Sequence, residues 1–202
     1  MSLNWVAGFQ HNHICAVLDP TPFHPTYVAG GSWIARRIDL PSIDYPNFRT
    51  GLNMQTVLDA QHFTIVVPDR PHVSRPDGGH MIIRPKVAVV DRTQLTREQA
   101  VELMKLTMVA GAAMHAVLNR RGIDIWRINY QDNGNWRPEL HVHLYGRAKS
   151  SKMQPYGYFL TIPPTPQAFK QQADLEPLNA EDVAELRAEI ERLLATEKYR
   201  NF

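Results

Sequence analysis

Between Pro138 and Arg147 the chain reads Pro-Glu-Leu-His-Val-His-Leu-Tyr-Gly-Arg, and from Glu139 to Leu144 polar and apolar residues alternate without a break. That is the period of a strand with one buried face. It sets Glu139, His141, His143 and Tyr145 on one side and turns Leu140, Val142 and Leu144 toward a core. Same-face neighbours on a strand stand roughly 6.5–7 Å apart, twice the rise per residue. Two imidazoles and a carboxylate at that pitch can surround one phosphate or one metal ion. Taken alone, the pattern also allows plain hydrogen-bonded surface groups.

The neighbouring segments supply the partners such a strand needs. Phe63-Thr64-Ile65-Val66-Val67 is rich in β-branched residues and reads as a strand, ended by Pro68-Asp69-Arg70-Pro71. After a polar turn through Pro76-Asp77-Gly78-Gly79, His80 to Arg84 reads as a second strand, stopped by Pro85. Leu95 to Arg121 is the clearest helix. Thr96 and Gln99 have the spacing of a capping box, Val101, Met104, Met108, Ala112 and His115 form one helical stripe, and Gly122 suits the helix end. A third strand is expected over Ile123 to Asn129, followed by an Asp132-Asn133-Gly134 turn. An amphipathic helix is expected from about Asn179 to Tyr199, with Val183, Leu186, Ile190, Leu193 and Leu194 on or near one face. Short strands are expected near Ile14–Leu18 and Ser32–Ile38. Strand pairs on either side of a long helix predict an α+β fold, an antiparallel sheet covered by helices.

Composition narrows the function classes. The 22 basic and 20 acidic residues leave a formal charge of +2, which does not suggest a surface that coats a nucleic-acid polymer. The single cysteine, Cys15, excludes an internal disulfide framework and reads as a small buried residue. No run of about 18 consecutive apolar residues predicts a membrane span. The start, MSLNWVAGFQHNH, lacks the basic-then-apolar pattern of a secretory signal, so a cytoplasmic location is expected.

Two chemistries suit the histidine strand. A neutral imidazole is a good nucleophile toward phosphorus, a second imidazole can donate to the phosphate oxygens, and a carboxylate can hold a tautomer. Alternatively, Glu139, His141 and His143 make a reasonable ligand set for zinc or non-haem iron. Metal sites built on a strand His-x-His normally add a later acid, and after His143 the next one is Asp174.

Three segments together resemble the histidine-triad (HIT) superfamily of nucleotide hydrolases and transferases. They are Gly79-His80-Met81-Ile82-Ile83-Arg84-Pro85-Lys86, the long helix with the strand ending at Asn129, and Asn135-Trp136-Arg137-Pro138 running into the histidine strand as far as Arg147. The family signature is a Gln-x-x-Pro lead, then His-x-His-x-His, then an Arg four residues after the last His. With Pro138 and Arg147 in those places, Glu139 takes the first triad position, His141 the middle one and His143 the last. The resemblance then implies a covalent nucleotidyl-histidine intermediate on His141, with His143 bonded to the phosphate. It implies supporting catalytic roles for Glu139 and His80, and nucleotide contacts from Asp69, Asn129 and Asn135. A shifted register would make His141 first, His143 the nucleophile and Tyr145 third, losing the agreement at Pro138 and Arg147. A departed triad leaves two further readings: a nucleotide-binding module with weak or no catalysis, and the metal-dependent enzyme above.

The resemblance implies an N-terminal extension over 1–60, a catalytic core over 61–147, and a Pro-rich segment with a C-terminal helix over 148–202, together one compact domain. It implies a nucleotide or dinucleoside polyphosphate as substrate, no membrane partner and a homodimer. No cofactor is firmly implied beyond a divalent cation accompanying a polyphosphate.

Overall fold

The computed structural model describes residues 54–134, 136–173 and 175–202. The strands expected near Ile14–Leu18 and Ser32–Ile38, Cys15 and the site residue Asn135 lie outside the described residues. Five strands form one antiparallel sheet in the order β1-β2-β3-β5-β4: β1 Met54–Asp59, β2 Phe63–Pro68, β3 His80–Pro85, β4 Ile125–Gln131 and β5 Val142–Ala148. The helices are α1 Arg97–Arg120, α2 Pro166–Gln171, α3 Ala180–Leu194 and α4 Glu197–Arg200. The α+β class expected from the sequence is the class observed.

Local chemistry accounts for most boundaries. The Thr96 hydroxyl accepts from the Gln99 amide, and the Gln99 side chain accepts from the Thr96 amide, which closes the predicted capping box. Asn179 and Asp182 build the same device at the start of α3. Gly122, with φ of 80°, lets the chain leave α1 in a left-handed turn that L side chains avoid.

Three expectations need correcting. Strand β1 went unforeseen because Val57 is the only buried residue in it and a bulge between Thr56 and Leu58 breaks its alternation. The helix stripe of Val101, Met104, Met108, Ala112 and His115 is mostly the outer one, with Met108 alone of the five packed partly against the core. Val101 and Met104 are 39% and 54% exposed, His115 is exposed, and Leu103, Leu106, Val109, Ala113, Met114 and Val117 face the core instead. Both sides of α1 are apolar, so periodicity alone does not say which one meets the sheet. For the same reason α1 is long and apolar enough, by length and composition, to cross a membrane, yet its inner face is packed in the core. The histidine strand starts at Val142 rather than at Glu139.

The core lies on one face of the sheet. Met81, Ile83, Val142 and Leu144 stand on the strands that meet α1, Ile65 of β2 joins the same cluster, and Leu186 and Ile190 of α3 close it beside β1. A charged knot ties α3 to the rest. The fully buried Asp182 carboxylate accepts from Arg75 at 2.6 and 3.0 Å and also pairs with Arg121. Burial acts to raise the Asp182 carboxyl, but the hydrogen bonds from Arg75 and the Asn179 amide, with the charges of Arg75 and Arg121, outweigh it and hold it below the usual carboxylate range.

Asp182→Asn is expected to cost about 3 kcal/mol at neutral pH, because two guanidiniums lose their counter-charge. A depressed carboxyl stabilises the fold fully above its unfolded value of 3.8 and loses that contribution as the pH falls through the folded one. Urea unfolding should therefore show a deficit at pH 7 that shrinks near pH 3. A deficit that is the same at both would contradict the assignment.

Candidate active site

The second face of the sheet carries the chemistry. In the β3–β5 register His80 lies opposite Tyr145 and Ile82 opposite His143, so these side chains leave the face turned away from α1. In the β4–β5 register Asn129 lies opposite Tyr145. Close backbone contact makes this arrangement possible. The Gly146 amide donates to the Gly79 carbonyl at 3.1 Å, and a Cβ on either Gly78 or Gly146 would collide with the other's backbone. Gly78 also has φ of 133°, a value that L side chains rarely adopt.

Four rings gather there. His80 Nε2 and His143 Nδ1 are 2.9 Å apart, and the backbone N–H of His72 donates to His80 Nδ1 at 3.2 Å. His72 Nδ1 lies 2.7 Å from the Tyr145 hydroxyl. The rings of His143 and Tyr145 stack with centroids 5.4 Å apart, and those of His72 and His80 with centroids 4.9 Å apart. His80 and His143 are buried, and His72 is half-buried.

These contacts assign the tautomers. A ring nitrogen that accepts from an amide carries no proton, so neutral His80 is protonated at Nε2. It donates that proton to His143 Nδ1, which leaves the proton of neutral His143 on Nε2. Burial is the main reason the rings stay neutral. It drives His72 down to about 4, with the positive charges of His141 and Arg137 adding to the effect. Burial, then His141, His72 and Arg137, bring His143 to about 2. Burial with its histidine neighbours holds His80 well below its ordinary value, and burial alone pushes the Tyr145 phenol up.

His141 stands just before β5, half-buried, its ring edge-on to His143 at 4.7 Å between centroids. Its Nδ1 is 2.7 Å from the Glu139 carbonyl oxygen. A carbonyl only accepts, so Nδ1 holds the proton of the neutral ring and Nε2 keeps its lone pair.

The remaining expected residues fall differently. Glu139 lies ahead of the strand and is exposed, and it meets His141 through its backbone carbonyl rather than its carboxylate. The expected row is thus shortened to His141 and His143, while Leu140, Val142 and Leu144 all reach the core on the other side. Among the described residues, His72, His80 and His143 form a group whose ring nitrogens lie close enough to hold a metal, and Glu139 and His141 are not part of that group. The Asn129 side-chain oxygen accepts from Arg147 at 3.0 Å, which leaves its amide hydrogens for other partners. Asp69 is exposed just after β2 and lines a cavity of about 510 Å³ with Met54, Gln55, Val67 and Leu178, a lining that includes none of the four rings. A second cavity of about 520 Å³ lies by His62, Arg97 and Glu102.

His72 is the residue that sequence reasoning missed. It follows β2 in a loop, with no periodicity to mark it, and only the fold brings it to Tyr145, 73 positions later. Phe169 of α2 packs edge-on against it at 4.9 Å, and Trp136 lies 6.3 Å away. Arg70 keeps α2 in place by donating to the Lys170 and Gln172 carbonyls at 3.3 and 3.4 Å.

Residues 51–150 match the family model described as HIT domain. Similar solved structures include a histidine triad protein from Marinobacter aquaeolei, 17% identical with a TM-score of 0.48, covering 70% of this chain and 88% of that one. Another is from Bradyrhizobium japonicum, at 15% identity and a TM-score of 0.47, covering 69% of this chain and 89% of that one. A zinc-bound histidine triad family protein from Mycobacterium smegmatis is 18% identical with a TM-score of 0.44, covering 68% of this chain and 84% of that one. No curated protein matches the sequence.

The buried rings make the fold sensitive to acid. Their folded values lie below the ordinary 6.5, so the unfolded chain takes up protons first as the pH falls. Stability is full above about 6.5 and declines from there, through 4 where His72 takes up its proton and on toward 2 for His143. In an NMR titration the His72 ring should change charge near 4, and His143 should remain neutral there. His72→Gln should flatten the fall of the urea midpoint across that window, and an unchanged slope would refute the burial argument.

Proposed function

We propose that this chain, which belongs to the histidine-triad superfamily, cleaves a nucleotide phosphoanhydride or phosphoramidate bond through a covalent intermediate on His141. The family is one of nucleotide hydrolases and transferases, and the fold is that of the family. One observation carries the finer reading: His141 Nδ1 sits 2.7 Å from the Glu139 carbonyl, so the lone pair on Nε2 is the one available for attack. In the reaction Nε2 forms a bond to phosphorus, and the bond from phosphorus to the leaving group breaks. The leaving group departs with that electron pair and takes up a proton. Water then attacks the phosphorus, and His141 leaves with the electron pair of the P–N bond.

His143 supports the same step from beside it. Its Nδ1 is engaged by His80, so its donor is the Nε2–H, suited to a phosphoryl oxygen. An imidazole held neutral donates without placing a full positive charge in a buried site. The Glu139 carboxylate has no part in this reading; its backbone carbonyl takes the orienting role that the acid was expected to fill. Asn129, which shares the site face, is the candidate for a further contact to the nucleotide.

The exposed stripe on α1 and the β4 edge, where Trp126 and Tyr130 are 56% and 50% exposed, support pairing with a second copy. Light scattering should return twice the chain mass, and Met104→Glu should halve it. A monomer of the unaltered chain would end that part of the reading.

The catalytic part is tested with adenosine phosphoramidates and dinucleoside polyphosphates. His141→Ala should lower kcat/KM by about 10³-fold or more, while His143→Ala should leave a slower but measurable rate. Turnover undiminished in His141→Ala would defeat the mechanism.

A further inference from the structure

We propose that His72, His80 and His143 form a binding site for one zinc(II) ion, with the Tyr145 hydroxyl beside it. The site needs no nucleotide; it shares His143 with the hydrolytic reading but uses that ring's Nδ1, which leaves the Nε2–H free. Each histidine offers one ring nitrogen, and these three atoms lie within 4.8 Å of one another. Three imidazoles around a tetrahedral zinc, each about 2.0–2.1 Å from the metal, would hold their nitrogens roughly 3.3–3.5 Å apart. His80 Nε2 and His143 Nδ1, at 2.9 Å, are already close to that spacing, so the remaining adjustment is for His72 to move inward. Imidazole nitrogen suits zinc, copper and nickel better than magnesium or calcium, and zinc needs no redox partner.

The protons can be accounted for. Neutral His80 carries its proton on Nε2, the nitrogen that must coordinate. On binding, that proton moves to Nδ1, and the backbone N–H of His72 gives up its 3.2 Å hydrogen bond to that nitrogen. His143 coordinates through Nδ1, already free of a proton, and keeps its Nε2–H. No net proton is released by the two rings. Two hydrogen bonds, the 3.2 Å one to His80 Nδ1 and the 2.9 Å one between His80 Nε2 and His143 Nδ1, are exchanged for bonds from three nitrogens to the ion, and that balance favours the metal.

The surroundings suit a retained ion. His80 and His143 are buried, so water has little access to them, and Phe169 and Trp136 flank the half-buried His72. The Tyr145 hydroxyl, 2.7 Å from His72 Nδ1, either completes the coordination or holds the His72 ring in position.

The test uses the full chain, stripped with chelator and then titrated with zinc(II) against a chromophoric competitor, and in parallel with cobalt(II). One equivalent of zinc per chain is expected, together with the visible absorption of tetrahedral cobalt. His72→Ala should weaken binding at least about tenfold, while His115→Ala, on the outer face of α1, should bind as the unaltered chain does. If His72→Ala fails to fold, His72→Gln takes its place, with the zinc-induced rise in Tm as the readout. Absence of binding by the unaltered chain, or binding that His72 variants leave intact, would overturn the proposal.

Discussion

The backbone crossing of Gly78 and Gly79 over Gly146 is the contact on which the site depends. No side chain fits between the two segments, and the Gly146 amide bonds to the Gly79 carbonyl across the gap. Their approach fixes where β3 begins, one residue after Gly79, and so sets His80 against Tyr145 and diagonally against His143. Because strand side chains alternate, a slip of one residue would send His80 into the core and bring Met81 to the site. Two glycines next to a histidine on one strand, and one glycine after a tyrosine on the other, are therefore more than loop punctuation.

Desolvation then decides the chemical state of what is gathered. Histidine at an ordinary surface position is partly charged near neutrality. Packed against one another under aromatic cover, these rings lose their hydration and raise the cost of a second positive charge nearby. The neutral state gives each ring one donor and one acceptor, and the chain from the His72 amide through His80 to His143 uses them in a single direction. The outcome is one imidazole with a proton to give, His143, next to one with a lone pair to offer, His141. Neighbouring rings thus acquire different roles from hydrogen bonds to groups that themselves do not react.

The segment after β5 is held onto the site face by two buried charges. The Asp77 carboxylate accepts from the amides of Lys152, Met153 and Gln154 at 3.0–3.2 Å. Arg147 donates to the Gln154, Pro155 and Tyr158 carbonyls and to Asn129. Each charge meets backbone groups that would otherwise be unpaired, which is how a proline-rich stretch with little regular structure stays in register with the strand that precedes it. Further along, α2 brings Phe169 to His72.

Local rules were readable from the amino-acid order: the Thr96–Gln99 capping box, the Gly122 helix end, four of the five strands, the α+β class, and the presence of His141 and His143 on or beside one strand of the site. Each depends on residues a few positions apart, so a short window contains the whole physical cause. What the tertiary structure decided depends on residues far apart. It selected which apolar face of α1 meets the sheet, started β5 at Val142 so that Glu139 is left outside it, and brought His72 from an unremarkable loop to His80 and Tyr145. Burial, and with it the charge state and tautomer of every ring in the cluster, is a property of the packed whole, and no run of neighbouring residues contains it.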